Sequence, residues 1–413
     1  MCAKNLLQTT VVIVMLATLT GGRFSPVSAA SISQPIPDLA ATARLPGAFA
    51  FHGTSLSQPP QASRPANFAA VVAGEFHTCA LTTGGAVWCW GDNPYGQLGD
   101  GTTTQRMTPV AVKLEADIVA IAAGADHTCA LTTGGAVTCW GGNWDGQLGD
   151  GTTSNHLDPV AVSGLGSGVA AIAAGGDHTC ALTTAGAVMC WGTNYDGQLG
   201  DGTTDERPTP VAVQGLESGV VAIAAGLMHT CALTTSGAAK CWGTNYTGQL
   251  GDGTIDTRLT PAAVSGLGGG AAAIAAGGYH TCALLDGGAA RCWGGNRDGQ
   301  LGDGTTDDRL TPTPVSGLSS GVAAIAAGAY HTCALLNGGA VRCWGSNQYG
   351  QLGDATTGDR LLTPAAVRGL GSGVAAIAAG DDHTCVLTTG GAVKCWGSNE
   401  YGQLGNRLGL PVG

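Results

Sequence analysis

His178-Thr179-Cys180-Ala181-Leu182-Thr183-Thr184-Ala185-Gly186-Ala187-Val188-Met189-Cys190-Trp191-Gly192 contains two alternating runs, H-T-C-A-L and G-A-V-x-C-W-G, on either side of a Thr/Gly-rich turn. Alternation with period two around such a turn is the signature of a β-hairpin. The two cysteines set its register, because residues directly opposite in an antiparallel pair keep a constant sum of residue numbers. Cys180 then faces Cys190, Leu182 faces Val188 and Thr183 faces Ala187. Thr184, Ala185 and Gly186 are left as a three-residue loop of the kind that closes on a glycine. Opposed residues of a non-hydrogen-bonded pair have Cα atoms about 4.5 Å apart, close enough for a disulfide.

The hairpin recurs seven times, with histidines at His77, His127, His178, His229, His280, His331 and His383, so the period is 50 to 52 residues. A repeat of that length builds an array in which each copy covers its neighbour's apolar face. Each copy opens on a strand such as Val169-Ala170-Ala171-Ile172-Ala173-Ala174, whose small side chains suit crowding near an axis. After the hairpin come a Gly-rich turn, Asn194 to Thr204, and a short strand, Thr209-Pro210-Val211-Ala212-Val213, whose proline fits a strand start or edge. Seven units of about 51 residues with four short strands each predict an all-β fold, a seven-bladed β-propeller over residues 65–413. The last copy ends in Leu410-Pro411-Val412-Gly413, a stunted fourth strand.

Lys4, an apolar run from Val11 to Leu19 and the small-residue site Val27-Ser28-Ala29 predict a signal peptide over 1–30, removed on export. The run is about half the roughly 20 residues that span a bilayer, so no membrane association is expected after cleavage. Residues 31–64 are rich in Ser, Pro and Ala and read as a linker. Loss of Cys2 leaves fourteen cysteines, all in hairpins. Export and even pairing predict seven disulfides: Cys79 with Cys89, Cys129 with Cys139, Cys180 with Cys190, Cys231 with Cys241, Cys282 with Cys292, Cys333 with Cys343, and Cys385 with Cys395. Zinc sites favour closely spaced cysteine clusters, which are absent here.

The chain of 413 residues has a formal charge of -11, 11% charged residues and 70 glycines. No basic stripe exists to neutralise phosphates, so nucleic acid is not an expected partner. Seven histidines, one per blade, are too far apart to converge on one ion, and each is read as tying down its own turn. The seven W-G tryptophans are read as core. Asp145-Gly146-Gln147-Leu148-Gly149-Asp150-Gly151 has glycines and aspartates but not the spacing of an EF-hand loop. No nucleophile–base pair or carboxylate pair stands out from the repeat. The expectation is a non-enzymatic protein with no metal and no cofactor.

The shared motif A-A-G-x-x-H-[ST]-x-A-L, followed after a turn by V-x-x-W-G-x-N-x-x-G-Q-L-G, resembles the regulator-of-chromosome-condensation repeat family, and in particular its secreted bacterial members. The resemblance covers about 65–413 and implies a seven-bladed propeller. That family includes a nucleotide-exchange factor for a small GTPase, a plant ultraviolet-B photoreceptor and secreted β-lactamase inhibitors. An exchange factor fits poorly with an exported, cysteine-rich chain lacking a basic tail. The photoreceptor pattern places tryptophan between the glycine and the histidine, where none of these copies has one.

Scaffold residues repeat, whereas a partner surface need not. One variable slot, between the glycine and the histidine, holds Glu75-Phe76, Ala125-Asp126, Gly176-Asp177, Leu227-Met228, Gly278-Tyr279, Ala329-Tyr330 and Asp381-Asp382. A second follows the W-G-x-N turn and includes Tyr95, Trp144, Tyr195, Tyr246 and Tyr349. The resemblance places the first slot on the face that meets partners. The residues expected to bind are Phe76, Asp126, Asp177, Leu227, Met228, Tyr279, Tyr330 and Asp382. The reading is an exported monomer, secreted or held at the cell surface, that binds another protein through loops on one face. The alternatives are an inhibitor of a secreted or periplasmic enzyme such as a β-lactamase, or a carbohydrate-binding lectin.

Overall fold

The computed structural model describes residues 67–114 and 116–406. The expected leader (1–30), the linker (31–64) and the short strand at Leu410-Pro411-Val412 lie outside the described residues. Among the described residues twenty-seven strands form seven antiparallel sheets, six of four strands and one of three, each a simple meander. Blade 1 runs through Phe68–Ala73, His77–Thr82, Val87–Gly91 and Arg106–Ala111, and blade 4 through Val220–Ala225, His229–Thr234, Ala239–Gly243 and Arg258–Ala263. Blade 7 has Val374–Ala379, His383–Thr388 and Val393–Gly397. The fold is the expected propeller.

The hairpin register is the one the cysteines dictate. Cys180 pairs with Cys190 and Leu182 with Val188, while the Thr183 amide donates to the Ala187 carbonyl at 2.8 Å. Gly186 closes the loop at φ +80°, a conformation that favours glycine. All seven disulfides are formed, with Cα atoms 4.1 Å apart.

The first strand of every blade is innermost, and its alanines line an axial channel with Ile172, Ile325 and their counterparts. The apolar core is divided into seven clusters, each lying between neighbouring blades. Cys180, Leu182, Val188 and Leu199 of blade 3, for example, pack on Ile223, Ala232 and Trp242 of blade 4. The seventh cluster joins Val71, Ala80 and Trp90 of blade 1 to Cys385, Leu387 and Leu404 of blade 7. That contact closes the ring.

The same polar clamp crosses every seam. The Gln198 carbonyl of blade 3 receives the Trp242 indole N–H at 2.9 Å and the Thr230 hydroxyl at 2.8 Å, both from blade 4. The hydroxyl proton is thereby used, so the Thr230 oxygen accepts from Nε2–H of His178 at 2.9 Å. The histidine therefore ties its blade to the next one, and the expectation that it ties down its own turn is corrected. His and Thr are adjacent in sequence, so strand alternation aims them at opposite seams. The glycine of A-A-G is required here, since a Cβ on Gly175 would lie 2.3 Å from the His178 ring.

Candidate partner-binding face

In a meander the first and third connections emerge at the same end of the sheet. Both variable slots therefore lie on one face of the ring, and the contacts between them are direct. Phe76 of the first slot packs on Tyr401 of the second, with ring centroids 4.9 Å apart. Thr247 of the second slot donates its hydroxyl to the Tyr279 carbonyl of the first at 3.2 Å, and within the second slot Tyr95 meets Trp144 edge-on at 4.3 Å.

The residues expected to bind fall into two groups. Met228, Tyr279 and Tyr330 are exposed, and the two tyrosines stack at 5.7 Å. Leu227 and Phe76 are half-buried. The aspartates are partly scaffold: Asp126, Asp177 and Asp382 each accept from the G-Q-L-G glutamine of the preceding repeat, Gln97, Gln147 and Gln351, at 3.0 to 3.2 Å. They fix the turn as well as carrying charge. Leu227, Met228, Tyr279 and Tyr330 belong to consecutive blades, and Phe76 stands apart from them beside blade 7.

Four second-slot residues that the candidate set left out project from the same face. Tyr195 and Tyr246 are 62% and 68% exposed, more than Tyr279 and Tyr330 at 36% and 38%, and Trp144 and Tyr349 are also exposed. The signal that would have found them is the parity of connections in a four-stranded meander. Tyr246 donates to Asp196 at 3.0 Å, and Thr193 and Thr244 hold Asp145 and Asp196 at 2.5 and 2.7 Å, so this outer belt also has ordered carboxylates.

Negative charge concentrates toward the centre of the face. Burial, then repulsion from Glu75, Asp177 and Asp92, pushes Asp126 up to about 7. Burial, then Glu75 and Asp382, does the same to Asp381. Glu75 is itself raised by burial and by Asp177, Asp382 and Asp92. Burial, with Tyr279, Asp381 and Asp298 nearby, moves the Tyr330 phenol up to about 12. A cation brought to this face relieves that repulsion. The seven clamp histidines behave oppositely, since burial lowers each to about 3 or 4 and keeps the ring neutral with Nδ1 unprotonated. Among the described residues no group of three or more His, Cys, Asp or Glu is disposed to hold a metal ion.

Comparison with known proteins gives the same architecture. The pattern of the RCC1-like domain matches residues 47–323, and that of the regulator of chromosome condensation (RCC1) repeat matches 322–351, 338–387 and 374–403. The ultraviolet-B receptor UVR8 of Arabidopsis thaliana is 36% identical over 239 residues, covering 57% of this chain and 54% of the receptor. The human E3 ubiquitin-protein ligase HERC2 is 35% identical over 244 residues, covering 57% of this chain and 5% of the ligase. The chain thus spans about half or less of these relatives. Among solved structures, human WBSCR16 superposes with a TM-score of 0.70 at 26% identity, covering 78% of this chain and 87% of that one. Yeast RCC1 (Prp20), solved bound to Kap60, gives 0.70 at 22% identity, covering 86% and 87%, a likeness of fold.

Proposed function

We propose, given that the chain belongs to the family of RCC1-repeat proteins, that it is a non-catalytic docking ring that holds another protein against the face carrying both variable slots. One observation carries the reading. Exposed Met228, Tyr279 and Tyr330, with the belt of Trp144, Tyr195, Tyr246 and Tyr349, gather on one face of a ring whose seams are otherwise repeated. Clustered exposed aromatics are what interface hot spots use. The partner has an apolar projection for the tyrosine arc and a basic margin for the carboxylates around it.

Export to an oxidising compartment belongs to the same proposal, supported by seven buried disulfides in hairpins that close short loops. Photoreception is not carried over from the Arabidopsis relative, because no first slot holds a tryptophan. A second reading, inhibition of a secreted or periplasmic enzyme such as a β-lactamase, is favoured by the stacked Tyr279–Tyr330 pair, a rigid projection that loses little entropy on entering a cleft.

The test is affinity capture from the producing cell's surface and medium, followed by variants. Tyr279→Ala with Tyr330→Ala should weaken the captured complex by about 2 kcal/mol or more per residue while leaving the thermal transition in place. Asp286→Ala and Asn337→Ala, exposed in hairpin loops at the other end of the ring, should leave affinity unchanged. The reverse pattern would put the partner on the opposite face. An enzyme among the captured proteins, inhibited by the wild type and released by the tyrosine variants, would select the inhibitor reading.

A further inference from the structure

The turn after the third strand is built alike in blades 1 to 5 and differently in blade 6. In blade 5, Asp303 Oδ1 accepts from the Thr305 amide and hydroxyl, Oδ2 takes the Arg309 guanidinium at 2.7 Å, and Asp308 accepts from the Asn296 amide at 2.8 Å. Arg106, Arg207 and Arg258 make the same ion pair, and His156 takes the arginine's place in blade 2. Blade 6 has one residue more between Asp354 and Pro364 than blade 5 has between Asp303 and Pro312. The insertion puts Leu361 opposite Gly345, where blade 5 has Arg309 opposite Gly294. Arg360 is displaced outward and donates to the Arg297 carbonyl at 2.9 Å, and the Gly358 amide folds back onto the Asn347 carbonyl at 2.9 Å. Ala355 adopts φ +73° where blades 1 to 5 place glycine.

This rearrangement opens a cleft of about 320 Å³ between the turns of blades 5 and 6, bordered by Asp298, Ser346, Asn347, Gln348, Asp359 and Arg360. It lies on the same face as the tyrosine arc, since Asp298 stands in the second variable slot of blade 5, the blade that carries Tyr279 in its first. Neither Asp298 nor Asp359 has an ion-pair partner among the described residues, and Arg360 directs Nη1 to the Arg297 main-chain carbonyl.

We propose that this cleft receives a basic side chain, arginine or lysine, of the protein docked on the tyrosine arc, with Asp298 and Asp359 as its acceptors. The inference rests on the docking face proposed above and adds which blade supplies the charged contact. Charge complementarity selects the occupant. Around the arc the slots present Glu75, Asp177 and Asp382, with Asp126 and Asp381 raised to about 7, so a cationic group is drawn to this face, and a guanidinium or ammonium would give Asp298 and Asp359 the ion-pair contact that Arg360 on the same rim does not make. Gln348 and Ser346 add polar groups at the mouth.

The full chain, labelled with ¹⁵N, is titrated with acetyl-arginine amide, acetyl-lysine amide and methyl α-glucoside. Either cation should shift the amide resonances of Gln348, Gly358 and Asp359. Asp298→Asn with Asp359→Asn should weaken that binding by about fivefold or more, the loss of a charge-assisted contact at a partly exposed site. Arg360→Ala should tighten it by removing a competing cation, and Asp307→Asn in blade 5 should leave it unchanged. Shifts with the glucoside and with neither cation, or wild-type cation binding by the double variant, would overturn the proposal. With a captured partner, affinity lost on truncating Tyr279 and Tyr330 but kept in the Asp298/Asp359 variant would remove the cleft and leave the docking face. Affinity kept in both would remove the face itself.

Discussion

The seam between blades 3 and 4 and the seam between blades 7 and 1 are made of the same parts, but the chain runs through only the first. In one, His178 meets Thr230 at 2.9 Å and Gln198 receives Thr230 and Trp242. In the other, His383 meets Thr78 at 2.9 Å, and the Gln403 carbonyl receives the Thr78 hydroxyl at 2.8 Å and the Trp90 indole at 2.9 Å. The two differ at the outer edge. The third strand of blade 3 is covered by Arg207–Ala212, whereas that of blade 7 has no fourth strand beside it among the described residues, and its Val393 and Trp396 are half-buried. Side-chain clamps and apolar packing therefore suffice to join blades, and the covalent link is not what makes a seam.

Acid is the strongest way to test the clamps, because it acts on all seven together. Each histidine is held to about 3 or 4 in the fold, below its ordinary value of 6.5, so the unfolded chain binds protons that the folded ring refuses. Stability is then complete above 6.5 and falls as pH drops toward 4, by about 1.4 kcal/mol per histidine per pH unit. Asp126 and Asp381, raised to about 7, work the other way, since their protonation in the fold relieves repulsion. Glu75, Asp92, Asp177 and Asp382 are raised as well and share in that relief, but the seven fully buried histidines are the groups that must charge without a partner, so the net direction is loss of stability as pH falls. Thermal melts from pH 8 to 4 should show a maximum near neutrality and a steep fall below 6. A flat profile would mean that the histidines are not desolvated.

Single deletions then separate the two seams. His178→Ala should cost about 2–4 kcal/mol in denaturant unfolding, from the lost bond and the cavity left behind. His383→Ala should cost at least as much, and it alone should speed amide exchange in Phe68–Ala73 and Val374–Ala379, because among the described residues no chain segment crosses the closing seam to hold its halves together. Equal exchange in both variants would mean that the outer edge of blade 7 is covered. Disulfide removal should not distinguish them. Cys231→Ala with Cys241→Ala and Cys385→Ala with Cys395→Ala open loops of equal length, each worth about 2.5–3 kcal/mol of chain entropy, and any difference in unfolding midpoint reports packing in the weaker blade. The smallest effect is local. Ala355→Gly should stabilise blade 6 by up to about 1 kcal/mol, since it removes a side chain from a left-handed conformation.

Blade count, hairpin register and disulfide pairing were legible because they rest on spacings within one copy: ten residues between Cys180 and Cys190, and about 51 between histidines. Contacts between copies were harder to read, because in a repeat the same residue types occur in the same blade and in the next. His178 sits beside Thr179 and bonds Thr230; only the alternation of side chains along a strand tells the two apart. The candidate face was half legible. The first slot stood out by its variability, but the second was set apart from it, although meander parity places Tyr246 and Tyr279 at the same end. The one-residue insertion at blade 6 is visible in the step from His331 to His383, but not its result, since displacement of Arg360 depends on Leu361 taking the strand position opposite Gly345.

The directionality of the clamp has a further consequence. Every blade gives a histidine to the blade after it and takes one from the blade before, so blade 1 and blade 7 carry the two complementary halves of a head-to-tail joint. Nothing in that joint identifies which molecule the other half comes from. During folding, the last blade of one chain can therefore dock on the first blade of another, and such contacts propagate into open chains of molecules rather than closing. Tethering within one chain favours the ring, because it holds the two halves at an effective concentration of about millimolar. Refolding yield should accordingly depend on protein concentration, and the species lost at high concentration should be a ladder of linear oligomers rather than an amorphous aggregate.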